Sequence, residues 1–244
     1  MIILNLGCGN KTSSSPEVIN IDSSFYLRLK QNKYLKFVAH PFLSEERRKK
    51  LDNLPDNIVL YNLKKGIPYP NNTVDVVYHS HLFEHLDRDI AEVFQREIFR
   101  VLKPGGIQRI VVPDFEMLCK NYLSHVIKCE SNLDNIYQHD SYIAAMIEQS
   151  VRKEAFGASE QSPLIRKLDN YLFGDARERG ESHQWMYDRF NLQTSLKKIG
   201  FNSIKKHEYK SSDILGWSNF GLDLNANGNE YKVGSLYIEA VKPE

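Results

Sequence analysis

Leu4-Asn5-Leu6-Gly7-Cys8-Gly9 and, after residues 10–17, Val18-Ile19-Asn20-Ile21-Asp22 decide the reading of this chain. The first stretch is an apolar strand passing into a Gly-x-Gly turn. Glycine there permits positive φ and lets a ligand approach the backbone closely. Asp22 closes the second apolar run, and an acidic residue at such a strand tip accepts hydrogen bonds from both hydroxyls of a ribose while repelling a 2′-phosphate. A dinucleotide fingerprint wants a third Gly or Ala at position 12, where Thr12 stands beside Lys11. Residues 10–17 are also too few for an ordinary crossover helix. The helix whose N-terminus would hold a pyrophosphate is therefore expected to be absent or reduced to a turn. The pattern points to a nucleoside ligand without phosphates.

Working outward, further apolar runs predict strands at 2–6, 18–21, 58–61, 74–78 and 107–112. Residues 90–102 predict an amphipathic helix with Ile90, Val93, Phe94, Ile98, Val101 and Leu102 on one face. It ends at Lys103-Pro104-Gly105-Gly106. Asn191 is read as the cap of a helix carrying Leu192, Leu196 and Ile199 and ending at Gly200, with strands at 203–208 and 235–241 to follow. Short strands separated by helical patterns indicate βαβ units and a parallel sheet. Residues 115–182 show helical periodicity and no strand. They are expected to form a helical insertion, or cap, within a single domain spanning 1–244.

Composition sets the outer limits. The 244 residues are 41% hydrophobic and 26% charged, near globular averages. With 32 Lys and Arg against 31 Asp and Glu, the net charge is +1, which argues against non-specific nucleic-acid binding as the main role. The basic end of Glu45-Glu46-Arg47-Arg48-Lys49-Lys50 reads as solvated surface. No apolar run of about 20 residues predicts a membrane span, and the N-terminus has neither the basic region nor the cleavage site of a signal peptide. Cys8, Cys119 and Cys129 are odd in number and lack a Cys-x-x-Cys pair, arguing against a disulfide framework and a thiolate zinc site. A reducing cytoplasm is the expected setting.

Taken together, four signatures resemble the class I S-adenosylmethionine-dependent methyltransferases. They are the Leu4–Gly9 turn, the Val18–Asp22 strand, the stretch from Ile67 through Asp75-Val76-Val77-Tyr78-His79-Ser80-His81-Leu82-Phe83-Glu84-His85-Leu86, and Arg100-Val101-Leu102-Lys103-Pro104-Gly105-Gly106. Ser182-His183-Gln184-Trp185-Met186-Tyr187-Asp188 and the tail Gly234–Pro243 resemble a bacterial branch of such proteins that often accompanies glycosyltransferases of surface polysaccharide.

The resemblance implies an α/β, Rossmann-like, doubly wound sheet of seven mostly parallel strands in the order 3-2-1-4-5-7-6, with the last strand antiparallel. It implies S-adenosylmethionine as the cofactor, held by Gly7, Cys8, Gly9, Asp22, Asn62, Leu63, His79 and Ser80. Catalysis is expected in the loop 79–85. His85 is the favoured general base and His81 the second choice, Glu84 orients one of them, and Asp114 is the alternative base. His183, Trp185 and Tyr187 would bind the acceptor, a sugar or other small polar molecule. No metal is expected in this loop. Two positions depart from the family pattern: Asn5, where an acidic residue is usual, and Asn62, where Asp is common. No Asn/Asp-Pro-Pro-Tyr motif for exocyclic base amines is present. The alternative is a methyltransferase-like scaffold without catalysis.

Overall fold

Apolar alternation along each strand sorts side chains onto two faces of one sheet, and both faces are covered. The computed structural model describes residues 1–32, 34, 37, 43, 45–149 and 182–244. Its strands are β1 (Ile3–Leu6), β2 (Val18–Asp22), β3 (Ile58–Leu60), β4 (Val74–Ser80), β5 (Leu102–Pro113), β6 (Asn202–His207) and β7 (Ser235–Val241). They form a single seven-stranded sheet in the order β3-β2-β1-β4-β5-β7-β6. β7 runs antiparallel to both of its neighbours, and the other described pairings are parallel. The implied fold class and strand order are those observed.

One face packs against α3 (Arg88–Val101) and α6 (Arg189–Ile199). Leu4, Leu6, Val77, Ile110 and Ile238 of the sheet meet Phe94, Ile98, Val101, Leu192 and Leu196 there. The buried stripe of α3 is Ala91, Phe94, Gln95, Ile98 and Val101, whereas Ile90 and Val93 are exposed. The sequence reading placed the stripe one residue off at its start. Buried Gln95 accepts from Ser195 Oγ of α6 at 2.7 Å, while its Nε2 has no hydrogen-bond partner among the described residues. Asp188, not Asn191, is the N-cap of α6. Its Oδ1 accepts from the Phe190 and Asn191 amides, and Asn191 reciprocates from the N3 position of a capping box. Lys103–Gly106, expected to end the helix as a turn, falls inside β5, where Val74 pairs with Leu102 but Val76 pairs with Ile107.

The other face lacks a helix between β1 and β2, as the short spacing predicts. The β6–β7 connection covers it instead. Ile214, Trp217, Phe220 and Leu222 pack onto Ile3, Val18, Val76, Tyr78, Val111 and Tyr237. Arg109 is fully buried beneath this cover, donating to Asp223 Oδ2 at 2.8 Å and to Glu239 Oε1 at 2.5 Å. Tyr78 and Trp217 also donate to Asp223.

The loop after β1 is pinned by amides rather than by a helix. Asn5 Nδ2 donates to the Lys11 carbonyl and to Asn20 Oδ1, both at 2.9 Å, and Asn20 and Asn57 donate to the Ser13 carbonyl. A carboxylate at position 5 could not make the two donations, which accounts physically for the departure from the acidic pattern.

At the carboxyl end of β5, Asp114 caps α4 (Phe115–Ser131), which is followed by a 3-10 turn (Leu133–Gln138) and α5 (His139–Gln149). The remainder of the expected helical insertion, 150–181, lies outside the described residues. The short α1 (Phe25–Gln31) and α2 (Glu45–Asp52) lie between β2 and β3 in sequence. No helix among the described residues is long and apolar enough to cross a membrane.

Candidate active site

The carboxyl ends of β1, β2 and β4 lie side by side, because β1 pairs with both of the others. Ligands of open α/β sheets bind along this edge. Gly7 and Gly9 take φ of +62° and +52°, and the turn folds over β2, with the Gly7 amide on the Ile21 carbonyl at 2.8 Å. An added Cβ at Gly7 would lie 2.9 Å from Leu82 of the β4 loop, so this glycine lets the two loops touch. A Cβ at Gly9 would meet nothing within 4 Å, which leaves open space beside the turn.

Asp22 borders that space. Its Oδ2 accepts from the Gly9 amide at 2.9 Å and its Oδ1 from Ser24 at 2.6 Å. A carboxylate has about four acceptor positions, so the half-buried group keeps capacity for a diol. The Tyr61 amide donates to the Asp22 carbonyl at 2.9 Å and sets the end of β3 beside it. Asn62 follows, with its Oδ1 accepting from Lys64 at 3.0 Å as the cap of the turn Leu63–Lys65. Cys8 is buried. Burial, then the charge of Asp22, push its thiol far above the ordinary cysteine range, so it packs as a neutral group.

β4 runs to Ser80, two residues beyond its expected end. His79 therefore belongs to the strand, and its ring is fully buried against Phe83 and Phe94. Gln108 Nε2 lies 3.2 Å from His79 Nε2, and His79 Nδ1 has no hydrogen-bond partner among the described residues. Burial pushes its pKa down to about 4. The unfolded chain accordingly takes up a proton near pH 6.5 that the folded chain refuses until about pH 4. Stability is expected to fall across that window as the pH drops, by about 3 kcal/mol in total at about 1.4 kcal/mol per unit. Urea unfolding from pH 7 to 4 should show this slope in the parent protein and a flatter one in His79→Leu. Parallel slopes would contradict it.

The turn itself is His81–Leu86. His81 has φ +50°; its Nδ1 is 3.2 Å from Glu84 Oε1 and its Nε2 is 2.9 Å from Ser235 Oγ at the start of β7. His85 Nδ1 donates to the Ser182 carbonyl at 3.2 Å, and His85 Nε2 stands 3.9 Å from Glu84 Oε1. Glu84 is 1% exposed, and its Oε2 has no hydrogen-bond partner among the described residues. Burial acts to raise the Glu84 pKa, but the hydrogen bond and charge of His81 and the charge of His85 outweigh it and hold the carboxyl below its ordinary value. Burial lowers the His85 pKa against the pull of Glu84, keeping the imidazole neutral near pH 7.

The Ser182–Asp188 stretch docks on this turn although about 100 residues separate them. The Gln184 and Trp185 amides donate to the Glu84 carbonyl at 2.7 and 3.2 Å. His183 lies edge-on to His85 at 4.9 Å, and the Arg88 guanidinium sits over the Trp185 ring at 4.4 Å. Tyr187 is buried and packs on Phe83 at 4.9 Å; burial, then the Glu84 charge, drive its phenol pKa far up. Asp114 lies nearby, but its oxygens are engaged by the Met117 amide and by Lys206. The structure thus gathers His81, Glu84, His85 and His183, while Asp114 and Tyr187 hold the surrounding elements together. Glu84, His85 and His183 present donor atoms within 4.8 Å of one another, a set also able to hold a cation.

Ser235, Ser182 and Arg88 complete the cluster and were not singled out from the sequence. Ser182 and Ser235 stand in the two stretches that carry the narrower resemblance; nothing local marks Arg88. A cavity of about 430 Å³ bordered by Met1, Glu17 and Phe220 lies at the opposite, amino edge of the sheet, away from this constellation.

Residues 4–110 match a family model described as a methyltransferase domain. That match spans β1 to the middle of β5, including the glycine turn, Asp22 and the β4 loop. It supports S-adenosylmethionine as the cofactor. No protein of curated function matches the sequence. Among solved structures, the chain is similar to a SAM-dependent methyltransferase from Archaeoglobus fulgidus, at 14% identity over 98% of this chain and 85% of that one, with a TM-score of 0.40. It is also similar to the YcgJ protein from Bacillus subtilis, at 15% identity over 99% and 92% of the two chains, with a TM-score of 0.40.

Proposed function

We propose that this protein transfers a methyl group from S-adenosylmethionine to a small polar acceptor, with a sugar hydroxyl as the favoured class and His85 as the general base. The observation that carries the reading is the convergence, at one sheet edge, of the open Gly7–Gly9 turn, the Asp22 carboxylate and the histidine–glutamate turn after β4. Residues 4–110, which hold all three, match a methyltransferase domain.

The donor set fits an adenosyl group: a carboxylate for the ribose diol, open space at Gly9, and Asn62–Leu63 at the end of β3 for the base. When bound, S-adenosylmethionine supplies an electrophilic methyl carbon on a sulfonium. A sugar hydroxyl is a weak nucleophile at neutral pH, so removing its proton as the new bond forms lowers the barrier. With Nδ1 donating to the Ser182 carbonyl, neutral His85 has its lone pair on Nε2 to accept that proton. Glu84 then stabilises the imidazolium. His81, engaged at both ring nitrogens, orients Glu84. His183 and Trp185 form a polar and aromatic rim suited to an acceptor with hydroxyl groups, and segment 115–182, leaving the sheet at the carboxyl end of β5, supplies acceptor specificity. The resemblance of 182–188 and of the tail to proteins of surface-polysaccharide synthesis favours a glycan precursor. The three free cysteines suit a reducing cytoplasm.

Calorimetric titration tests the cofactor assignment. Asp22→Ala is expected to weaken S-adenosylmethionine binding at least about tenfold, since charge-assisted hydrogen bonds contribute about 1.5–3 kcal/mol each. Asp22→Asn should recover part of the loss. Unchanged affinity in Asp22→Ala would sink the assignment.

A further inference from the structure

Outside the proposed catalytic cluster, the α4–α5 hairpin brings together three metal-ligating side chains. His125 and Cys129 lie one turn apart on α4, and residues at i and i+4 share a face. His139 opens α5. His125 Nδ1 is 3.2 Å from His139 Nδ1 and 3.5 Å from Cys129 Sγ, and the three donor atoms all lie within 4.8 Å of one another.

These separations have the size of the edges of a coordination tetrahedron. Zinc bonds of about 2.0–2.1 Å to nitrogen and about 2.3 Å to sulfur place two nitrogen ligands about 3.3 Å apart, and a nitrogen and a sulfur about 3.6 Å apart. The surroundings are those of a ligand set held in advance. His125 is 4% exposed, the Tyr142 ring stacks on it at 4.0 Å, and Tyr122 lies 5.5 Å from the His139 ring. The two imidazole planes are within 18° of parallel.

We propose that His125, Cys129 and His139 bind a zinc-type divalent cation that ties α5 to α4, with the fourth coordination position open to water. One thiolate and two imidazoles select a borderline-soft ion over magnesium or calcium, which take oxygen ligands. The site does not depend on the methyltransferase reading. It also shows what a search for Cys-x-x-Cys overlooks: a His-x-x-x-Cys pair on one helix, completed by a residue on the next.

Cobalt(II) titration of the metal-stripped full chain, followed by absorption spectroscopy, is the test. One equivalent should produce the visible bands of tetrahedral cobalt and a thiolate-to-cobalt charge-transfer band in the near ultraviolet, both bleached by zinc. Cys129→Ser should remove the charge-transfer band. His139→Ala should weaken binding by about two to three orders of magnitude, and Cys119→Ser should bind as the parent does. Far-ultraviolet circular dichroism checks that each variant is folded. No charge-transfer band in the parent, or an undiminished one in Cys129→Ser, would overturn the proposal and leave a metal-free hydrogen-bonded cluster.

Discussion

His85→Ala is expected to turn over about 10²–10⁴-fold more slowly than the parent while binding S-adenosylmethionine with nearly unchanged affinity. The ring is the proposed proton acceptor, and the proposed adenosyl contacts, Gly7, Cys8, Gly9, Asp22, Asn62 and Leu63, do not include this side chain. The alanine also removes the donor to the Ser182 carbonyl, so a second variant separates chemistry from docking. His85→Asn can still donate to that carbonyl but has no basic nitrogen, and it should be as slow as His85→Ala. The parent's rate should fall on the acid side as His85 is protonated, with a midpoint below the ordinary histidine value of 6.5 because burial outweighs the pull of Glu84. In the variants that limb should vanish. Turnover by both within threefold of the parent, with an acceptor in hand, would show that the turn only packs.

Arg109→Met is expected to cost about 3–5 kcal/mol of folding stability in urea unfolding. The guanidinium is fully buried and faces two buried carboxylates, Asp223 and Glu239. Without it those charges lose their only arginine partner among the described residues, and the His207 ring, with Nε2 3.2 Å from Glu239 Oε2, is left beside Glu239. The side chain also holds the Glu208 and Ser211 carbonyls, so the β6–β7 cover should loosen with it. A loss under about 1 kcal/mol would mean that the carboxylates are compensated by other means.

This ion cluster marks where the sequence stops being readable. Arg109 sits inside an apolar run, and its partners lie 114 and 130 residues further on. No local pattern carries such a pairing. The same holds for Ser235 on His81 and for the Glu84 carbonyl beneath Gln184 and Trp185. By contrast, the sheet edge was legible, because strand, glycine turn and acidic tip are local features with fixed geometry. The missing first helix was legible from spacing alone. What covers that face was not, since Trp217 and Phe220 belong to a loop without periodicity. His79 shows the cost of misplacing a strand end by two residues: a side chain assigned to the ligand edge lies in the core.

The Gly7–Gly9 turn, Asp22 and the His81–His85 turn are proposed to frame one methyl-donor site. A crystal structure of the protein soaked with S-adenosylmethionine tests this arrangement most directly. The ribose hydroxyls are expected at hydrogen-bonding distance from the Asp22 carboxylate, about 2.5–3.0 Å, with the adenine beside Asn62 and Leu63 and the sulfonium methyl directed toward the turn after β4. A ligand bound elsewhere, or one at this edge with its ribose away from Asp22, would contradict it.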